Sequence, residues 1–381
     1  MSAILKHKNL KTFTRITQRA KDAQVLTGDE IPVAALEAFY EQMFPARAEF
    51  LKRHWRWLYR TDNDTQVKSP IVVMKDNQVA GHVGIIPLSL RRKHDQRTAI
   101  WLCDIAVLPQ YRGKALGAFL VAEAMALCPL RLGFPNSMSW KLVSKFGWKD
   151  QFNTYGLSLF LRPDRHPKIR ERAATSRGLD ALAQLAGLAT RIAWRARTWL
   201  KTPLIVSPAK PDQLSAFYET QPAEALHVVR SRDYLNWRIS AHPNLEEHFV
   251  LSLPQTDSGT CSAIVRIVED DSCRRLHLLT LQVERFERQR LSDLCAGIVR
   301  WALAENVDVV SAFTNDLNQV QAIRWWLPVL KPLRYAYYAD DLAGEEFLAG
   351  AGQVWEYIDG DFDLAYTSPN HADHDRSSQC D

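Results

Sequence analysis

The chain has 381 residues, 46% of them hydrophobic and 24% charged, with 16 glycines, 18 prolines and a formal net charge of +5. That balance excludes a disordered, collagen-like or coiled-coil chain, and the length fits two domains. No uninterrupted apolar run approaches the roughly 18–20 residues of a membrane span. The opening residues 1–21 are basic and polar without an apolar core segment, so no secretory signal is expected and the chain reads as cytoplasmic. Six cysteines, at 103, 128, 261, 273, 295 and 380, lie far apart with no CxxC pair, which argues against a zinc site and against a disulfide framework.

The first block, about 24–160, alternates strand and helix patterns. Ile71-Val72-Val73-Met74 and residues 79–86 read as strands around the turn Lys75-Asp76-Asn77-Gln78. Residues 98–108 read as a third, long strand, and 115–127, rich in small and apolar residues, as a helix. A short buried strand is expected at 131–134, then a helix over 137–146 closed by Gly147. In the following linker Leu179, Leu182, Leu185, Ala189, Ile192, Ala196 and Trp199 recur every three or four residues, the pattern of an amphipathic helix. The second block, about 204–367, repeats the order of the first. The expected division is therefore 1–161, a basic helical linker at 162–203, a second domain at 204–367, and an acidic, disordered tail at 368–381.

Charge is unevenly spread. Residues 165–201 carry nine Lys/Arg against Glu171 and Asp180, whereas residues 340–381 carry eleven Asp/Glu against Arg376 alone. The basic stretch, with Trp194 and Trp199 beside its apolar face, is a candidate surface for weak peripheral contact with an anionic membrane or an acidic polymer. The alternatives are a solvated linker face, or an apolar face packed between the two blocks. Nucleic acid is not expected, because no aromatic-interleaved basic stripe accompanies the charge. Asp359-Gly360-Asp361-Phe362-Asp363 lacks the spacing and terminal Glu of a calcium loop and reads as a solvated turn. Trp55, Trp57 and Tyr59 read as core packing of a helix, with stacking on a sugar acceptor as the alternative.

The blocks also echo each other in sequence. His54-Trp55-Arg56-Trp57-Leu58-Tyr59 returns as Tyr234-Leu235-Asn236-Trp237-Arg238-Ile239, an offset of 180 at Trp57 and Trp237. Phe134-Pro135-Asn136 returns as Phe313-Thr314-Asn315, and the strand end at Val107 corresponds to Val283. Consistent offsets in chain order point to two copies of one fold.

The segment richest in chemistry is the strand–loop–helix junction from Cys103 to Ala118. A strand ends near Pro109, a tight loop carries Arg112, Gly113 and Lys114, and a helix starts at once. Successive backbone N–H groups at such a start converge on one small volume, with the helix dipole behind them. Small residues at 113, 115, 117 and 118 leave room for a phosphate to reach those amides. A compact diphosphate suits this geometry, although the loop is neither a Walker A motif nor a GxGxxG fingerprint.

The junction resembles motif A of the GNAT (GCN5-related) N-acetyltransferases. Arg112-Gly113-Lys114-Ala115-Leu116-Gly117 fits the family's (Q/R)-x-x-G-x-(G/A) core, with Ala115 where Gly is usual. Downstream, Asn136, Ser139, Leu142, Gly147 and Trp148 resemble the family's N-x-x-A-x-x-L-Y-x-x-x-G-F spacing. The resemblance implies an α/β architecture built on mixed sheets: two tandem GNAT acyl-CoA acyltransferase folds joined by a helical linker. It implies acetyl-CoA, or another acyl-CoA, as co-substrate, with no metal. The binding positions carried over are Ile105, Ala106 and Val107 on the strand, Arg112, Gly113, Lys114, Ala115, Leu116, Gly117 and Ala118 at the loop and helix start, and Asn136.

The implied reaction is direct acyl transfer to an amine, on a small molecule or a polysaccharide precursor. A carboxylate near the cleft can act as base, directly or through water, if its surroundings raise its pKa. Asp104 is the best-placed acid, with a hydrogen-bonded structural Asp as the alternative. His82 on the neighbouring strand is a second candidate base. The family's usual acid, a Tyr, is replaced by Val143, which leaves the acid unassigned. In the second block Arg288-Gln289-Arg290-Leu291-Ser292-Asp293 has no glycine and adds an acid, so no CoA site is expected there. Two other functions fit less of the sequence: a Fem-like aminoacyl transferase, and a non-catalytic CoA-binding scaffold at the membrane surface.

Overall fold

The computed structural model describes residues 23–61, 67–173, 177–218, 226–255, 259–270, 273–283, 287–314 and 317–349. The expectations about residues 1–21, the 359–363 turn, Asn315, Cys380 and the acidic tail fall outside these residues. The chain opens with β1 (Gln24–Thr27), α1 (Val33–Met43), α2 (Ala48–Leu58), β2 (Ile71–Lys75), β3 (Gln78–Arg92) and β4 (Asp95–Val107). It continues through α3 (Leu116–Ala126), β5 (Leu130–Gly133), α4 (Ser137–Val143) and β6 (Lys149–Phe160), then α5 (Pro167–Ala173) and α6 (Arg177–Thr198). The second block holds β7 (Ile205–Pro208), β8 (His227–Val228), β9 (His248–Ser252), β10 (Cys261–Asp270), β11 (Cys273–Val283), α7 (Arg288–Ala304), β12 (Val309–Thr314), α8 (Leu317–Ile323), β13 (Val329–Ala339) and α9 (Leu342–Leu348).

Local chemistry explains the first hairpin. Asp76 and Asn77 take φ of 51° and 57°, the left-handed values that a two-residue turn matched to strand twist demands. The turn pairs Lys75 with Gln78 and sets the β2–β3 register. Apolar residues on both faces of β3 and β4 bury these strands between helices, with Trp101 fully enclosed.

The strands form one sheet in the order β1-β2-β3-β4-β5-β13-β6-β12-β11-β10-β9-β7, with β8 paired to β3. Its two flanks carry the same sequence of elements, and each block's last strand crosses the middle. β13 pairs with β5 of the first block, β6 pairs with β12 of the second, and the two lie side by side. A boundary at residue 161 therefore divides the chain but not the sheet. Between the two blocks Trp57 Nε1 donates to the Trp237 carbonyl at 2.9 Å, and Trp237 Nε1 donates to the Trp57 carbonyl at 2.7 Å. The Phe134 and Phe313 rings meet edge to face, 5.0 Å apart. Residues paired at offsets of 180 and 179 thus touch each other reciprocally.

Trp55 and Tyr59 are enclosed in the core. Trp57 is taken up by Trp237 and His242, so none of the three is left to stack on a sugar. The linker helix α6 differs from the packed-strut expectation. Its narrow inner side, with Gly187 against Asp164 and Trp194 against Trp326, lies on the body, and its leucine face points away.

Candidate active site

The site is built on a fork between β4 and β5. These parallel strands pair only at Ile100–Arg131 and Trp101–Leu132. At the crotch the backbones press together: a Cβ on Gly133 would sit 2.9 Å from the Leu102 carbonyl oxygen, which only glycine avoids. β5 then stops while β4 runs on to Val107, and the fork opens. On its other side β4 pairs Cys103 with Gly84 and Ala106 with His82, so Asp104 and Ile105 together oppose Val83. This is a β-bulge, and Asp104 takes φ of 50°, a left-handed value that Asp tolerates better than most residues. Ile105, Ala106 and Val107 follow, half-buried at the mouth of the fork.

The candidate phosphate loop continues from this mouth. Gly113 has φ of 77° with open space where a Cβ would point, and Ala115 has φ of 65° at the N-cap of α3. Left-handed backbone at Ala115 explains why glycine is the natural residue there. Arg112, Gly113 and Lys114 are exposed, and Arg112 Nε ties the loop to the Val107 carbonyl at 3.1 Å. The first helical bond runs from Phe119 N–H to Ala115 C=O, which leaves the amides of Leu116, Gly117 and Ala118 ahead of the ladder. Leu116 anchors the turn in the core, and Gly117 backs onto Leu142 and Val107, so α3 and α4 approach closely. These features fit a diphosphate group: amides and cations with no carboxylate among residues 112–118.

Both candidate bases lie beneath the bulge in a buried cluster. Arg47 Nη1 donates to Asp104 Oδ1 at 2.7 Å, with both side chains 2% exposed, and the Tyr59 hydroxyl donates to Oδ2 at 2.7 Å. Burial pushes the Asp104 carboxyl upward, but the Arg47 charge and the bonds from Arg47 and Tyr59 outweigh it and hold the group below its ordinary value. His82 Nδ1 lies 2.9 Å from the Asp104 carbonyl, which can only accept, so Nδ1 carries the proton. Its Nε2 then accepts from the Tyr40 hydroxyl at 3.3 Å. Phe39, Tyr40, Phe44 and Tyr59 surround the ring, and burial depresses its pKa and keeps it neutral. Asp104 and His82 are thus joined to each other, but as an enclosed brace and not as groups turned toward the fork.

Asn136 caps α4, its Oδ1 accepting from the Ser139 amide and hydroxyl at 2.9 Å each. Val143 is buried, so the side chain at the position of the missing Tyr faces the core. Sequence reasoning overlooked Arg47 and Tyr40, and read Tyr59 as core packing without its bond to Asp104. A signal for Arg47 existed: it precedes Leu51, Trp55 and Tyr59 at four-residue steps, on the apolar stripe of α2, where an arginine implies a buried partner.

In the second block α7 follows β11 and carries Asp293. Lys201 Nζ engages Asp293 there at 3.2 Å. Arg230 Nη1 donates to Thr280 Oγ1 at 2.6 Å, and Thr280 stands 176 residues after Asp104, the offset that relates Val107 to Val283.

Residues 33–146 match the model of the acetyltransferase (GNAT) family. No curated protein sequence matches the chain. In fold it resembles a GCN5-related N-acetyltransferase from Anabaena variabilis (12% identity, TM-score 0.53, covering 84% of this chain and 74% of that one). It also resembles one from Kribbella flavida (12%, 0.50, 83% and 70%). A third likeness is to N-myristoyltransferase of Saccharomyces cerevisiae with bound myristoyl-CoA (13%, 0.54, 84% and 82%). With the matched segment enclosing the fork, the bulge and the phosphate loop, the chain carries over residues 33–146 a domain of the GNAT acetyltransferase family.

Proposed function

We propose that the protein is an acyl-CoA-dependent N-acyltransferase that uses a short acyl group, acetyl foremost, and an amine acceptor. The observation that carries this reading is the continuity of the loop and helix start 112–118, exposed at Arg112–Lys114, with the half-buried backbone of Ile105–Val107. A diphosphate held by the loop amides leaves the thioester arm along β4, where it meets the fork. Strand amides there can orient the acyl carbonyl, and the acceptor amine attacks it with CoA thiol as leaving group.

The short-acyl reading rests on the crotch. Leu102 and Gly133 close it, and behind them the tilted rings of Trp101 and Phe134 lie 5.1 Å apart, with Phe313 and Tyr335 against Phe134. Asp104, Arg47, Tyr59 and His82 take a positioning role in this scheme. They fix the bulge that turns the strand's backbone to the fork. The same reading takes the two blocks as copies of one fold, of which only the first kept the anion loop; the reciprocal Trp57–Trp237 contacts support it.

Titration calorimetry tests the proposal. Acetyl-CoA should bind at one site per chain. Lys114→Glu, an exposed change, should weaken binding by about tenfold or more through loss of a charge-assisted contact. A myristoyl thioester should give no turnover. Two equivalent sites, no acetyl-CoA binding, or preference for the long chain would overturn it.

A further inference from the structure

The linker helix α6 presents an unusual distribution of exposure. At 100° per residue, Leu182, Leu185, Leu188, Ala189, Ile192, Ala196 and Trp199 share an arc of about 120°. This arc faces directly away from the body: Leu182 is 63% exposed, Leu185 62%, Ile192 58% and Trp199 74%. Leu200, just beyond the helix, is 92% exposed, and Trp325, against Arg197, is 67% exposed. The opposite side of the helix is firmly held. Arg191 donates to the Leu303 carbonyl at 3.3 Å and to Asn306 at 2.9 Å, and Thr198 is buried. The Arg197 guanidinium lies about 5 Å from the ring centres of Trp194, Trp325 and Trp326, which fixes the aromatic end of the stripe. The stripe is therefore a rigid, displayed surface.

Its flank is basic. Arg162, Arg165, Arg170, Arg191 and Arg195, with Asp164 and Asp180, line a hollow of about 760 Å³ that Leu188 joins to the apolar arc. A displayed apolar stripe of this length asks for a covering surface. The cover must offer hydrocarbon to the leucines and negative charge to the arginines at the same time. A second copy packed antiparallel meets only the first need, because the two-fold axis then sets like-charged flanks against each other, and one packed parallel leaves the arginines without negative charge opposite them. We propose that α6 lies in the interface of an anionic lipid bilayer, its leucine and tryptophan arc among the acyl chains and the arginine hollow on lipid phosphates. The site at the fork would then act close to a membrane surface.

Co-sedimentation of the full chain with vesicles tests this. Phosphatidylglycerol-containing vesicles should bind the protein at low ionic strength and release it at about 0.5 M salt, where the Debye length falls to a few ångströms. Pure phosphatidylcholine vesicles should bind little. Each basic side chain near an anionic leaflet is worth about fivefold in affinity, so Arg170→Glu with Arg195→Glu should cost at least about 25-fold. Leu185→Ser with Ile192→Ser should cost about tenfold or more. All four positions are solvent-facing, so unchanged thermal unfolding should accompany the loss. Absent binding at low ionic strength, or equal binding to neutral vesicles, overturns the proposal. So does concentration-dependent dimerisation in sedimentation equilibrium that Leu185→Ser/Ile192→Ser abolishes, which makes the stripe a contact between copies.

Discussion

Replacing Asp104 by Asn separates a brace from a base. Asn accepts left-handed backbone nearly as well as Asp, so the bulge itself is not disfavoured by the change. What disappears is the charge opposite Arg47, whose residue is 3% exposed. Removing one partner of a buried ion pair costs about 3–5 kcal/mol, and the Tyr59 bond loses about 1 kcal/mol as its acceptor becomes neutral. Asp104→Asn should therefore unfold at a clearly lower denaturant concentration with an unchanged m-value. Arg47→Met/Asp104→Asn should recover about 2 kcal/mol or more of that loss, because no lone charge is left inside.

The pH dependence has a definite sign. Asp104 has a depressed pKa in the folded protein, so its stabilisation is complete above the unfolded value of about 3.9. It is lost as pH falls through the lower, folded value. The gap between wild type and Asp104→Asn should hold from neutral pH to about pH 5 and close only in stronger acid. Buried His248 and His277, each depressed to about 3 by burial first, subtract stability from both proteins as pH drops below about 6.5, so the difference and not the absolute value isolates Asp104. If Asp104→Asn instead unfolds with wild type while kcat drops by about 10²–10⁴ and the basic limb of the pH–rate profile vanishes, Asp104 is the base and the positioning account fails.

Ala115→Gly should stabilise the protein by about 0.5–1 kcal/mol in urea denaturation: left-handed alanine costs about 1–2 kcal/mol, and glycine's extra chain entropy returns part of the gain. A loss of stability would show that the loop tolerates the methyl group without strain. Trp57→Phe and Trp237→Phe should each cost about 1 kcal/mol from one lost indole bond, and the double variant should be non-additive by about 0.5 kcal/mol or more, as expected for residues in direct contact. Strict additivity would mean the two bonds between the blocks act independently.

Much of the site could be read before its geometry was known, because its signals are local. A strand pattern ending at Val107, a glycine in a cationic loop and small residues opening a helix prescribe an amide-lined turn from neighbours in sequence alone. The same holds for the Asp76–Asn77 hairpin and for the Asn136 cap, each settled within four residues. The brace was not legible in this way. Arg47, Tyr59, His82 and Asp104 come from the two ends of one helix and from two strands, and their pairing depends on how α2 lies across β3 and β4. Asp104 drew attention as an isolated acid in an apolar strand, but whether such an acid is free or neutralised is decided by a residue 57 positions earlier. The outward face of α6 was hidden for the opposite reason. Its periodicity announces an amphipathic helix, yet periodicity does not say which face meets the body, and the partners that hold it, Leu303, Asn306 and Trp326, lie more than a hundred residues downstream.

The two halves of the sheet sharpen the distinction between support and chemistry. Arg230 reaches Thr280 as Arg47 reaches Asp104, each at the corresponding place near the end of the long strand before the helix. An arginine clasping that strand is thus common to both halves. A contact common to both halves is most simply a property of the fold. In the second half the arginine meets a Thr hydroxyl at this position, whereas in the first it meets a carboxylate that also accepts from Tyr59 and keeps left-handed backbone at the bulge. The charge in the first half therefore adds stiffness where the strand turns its amides toward the fork, and stiffness there is what orientation of a reacting carbonyl requires.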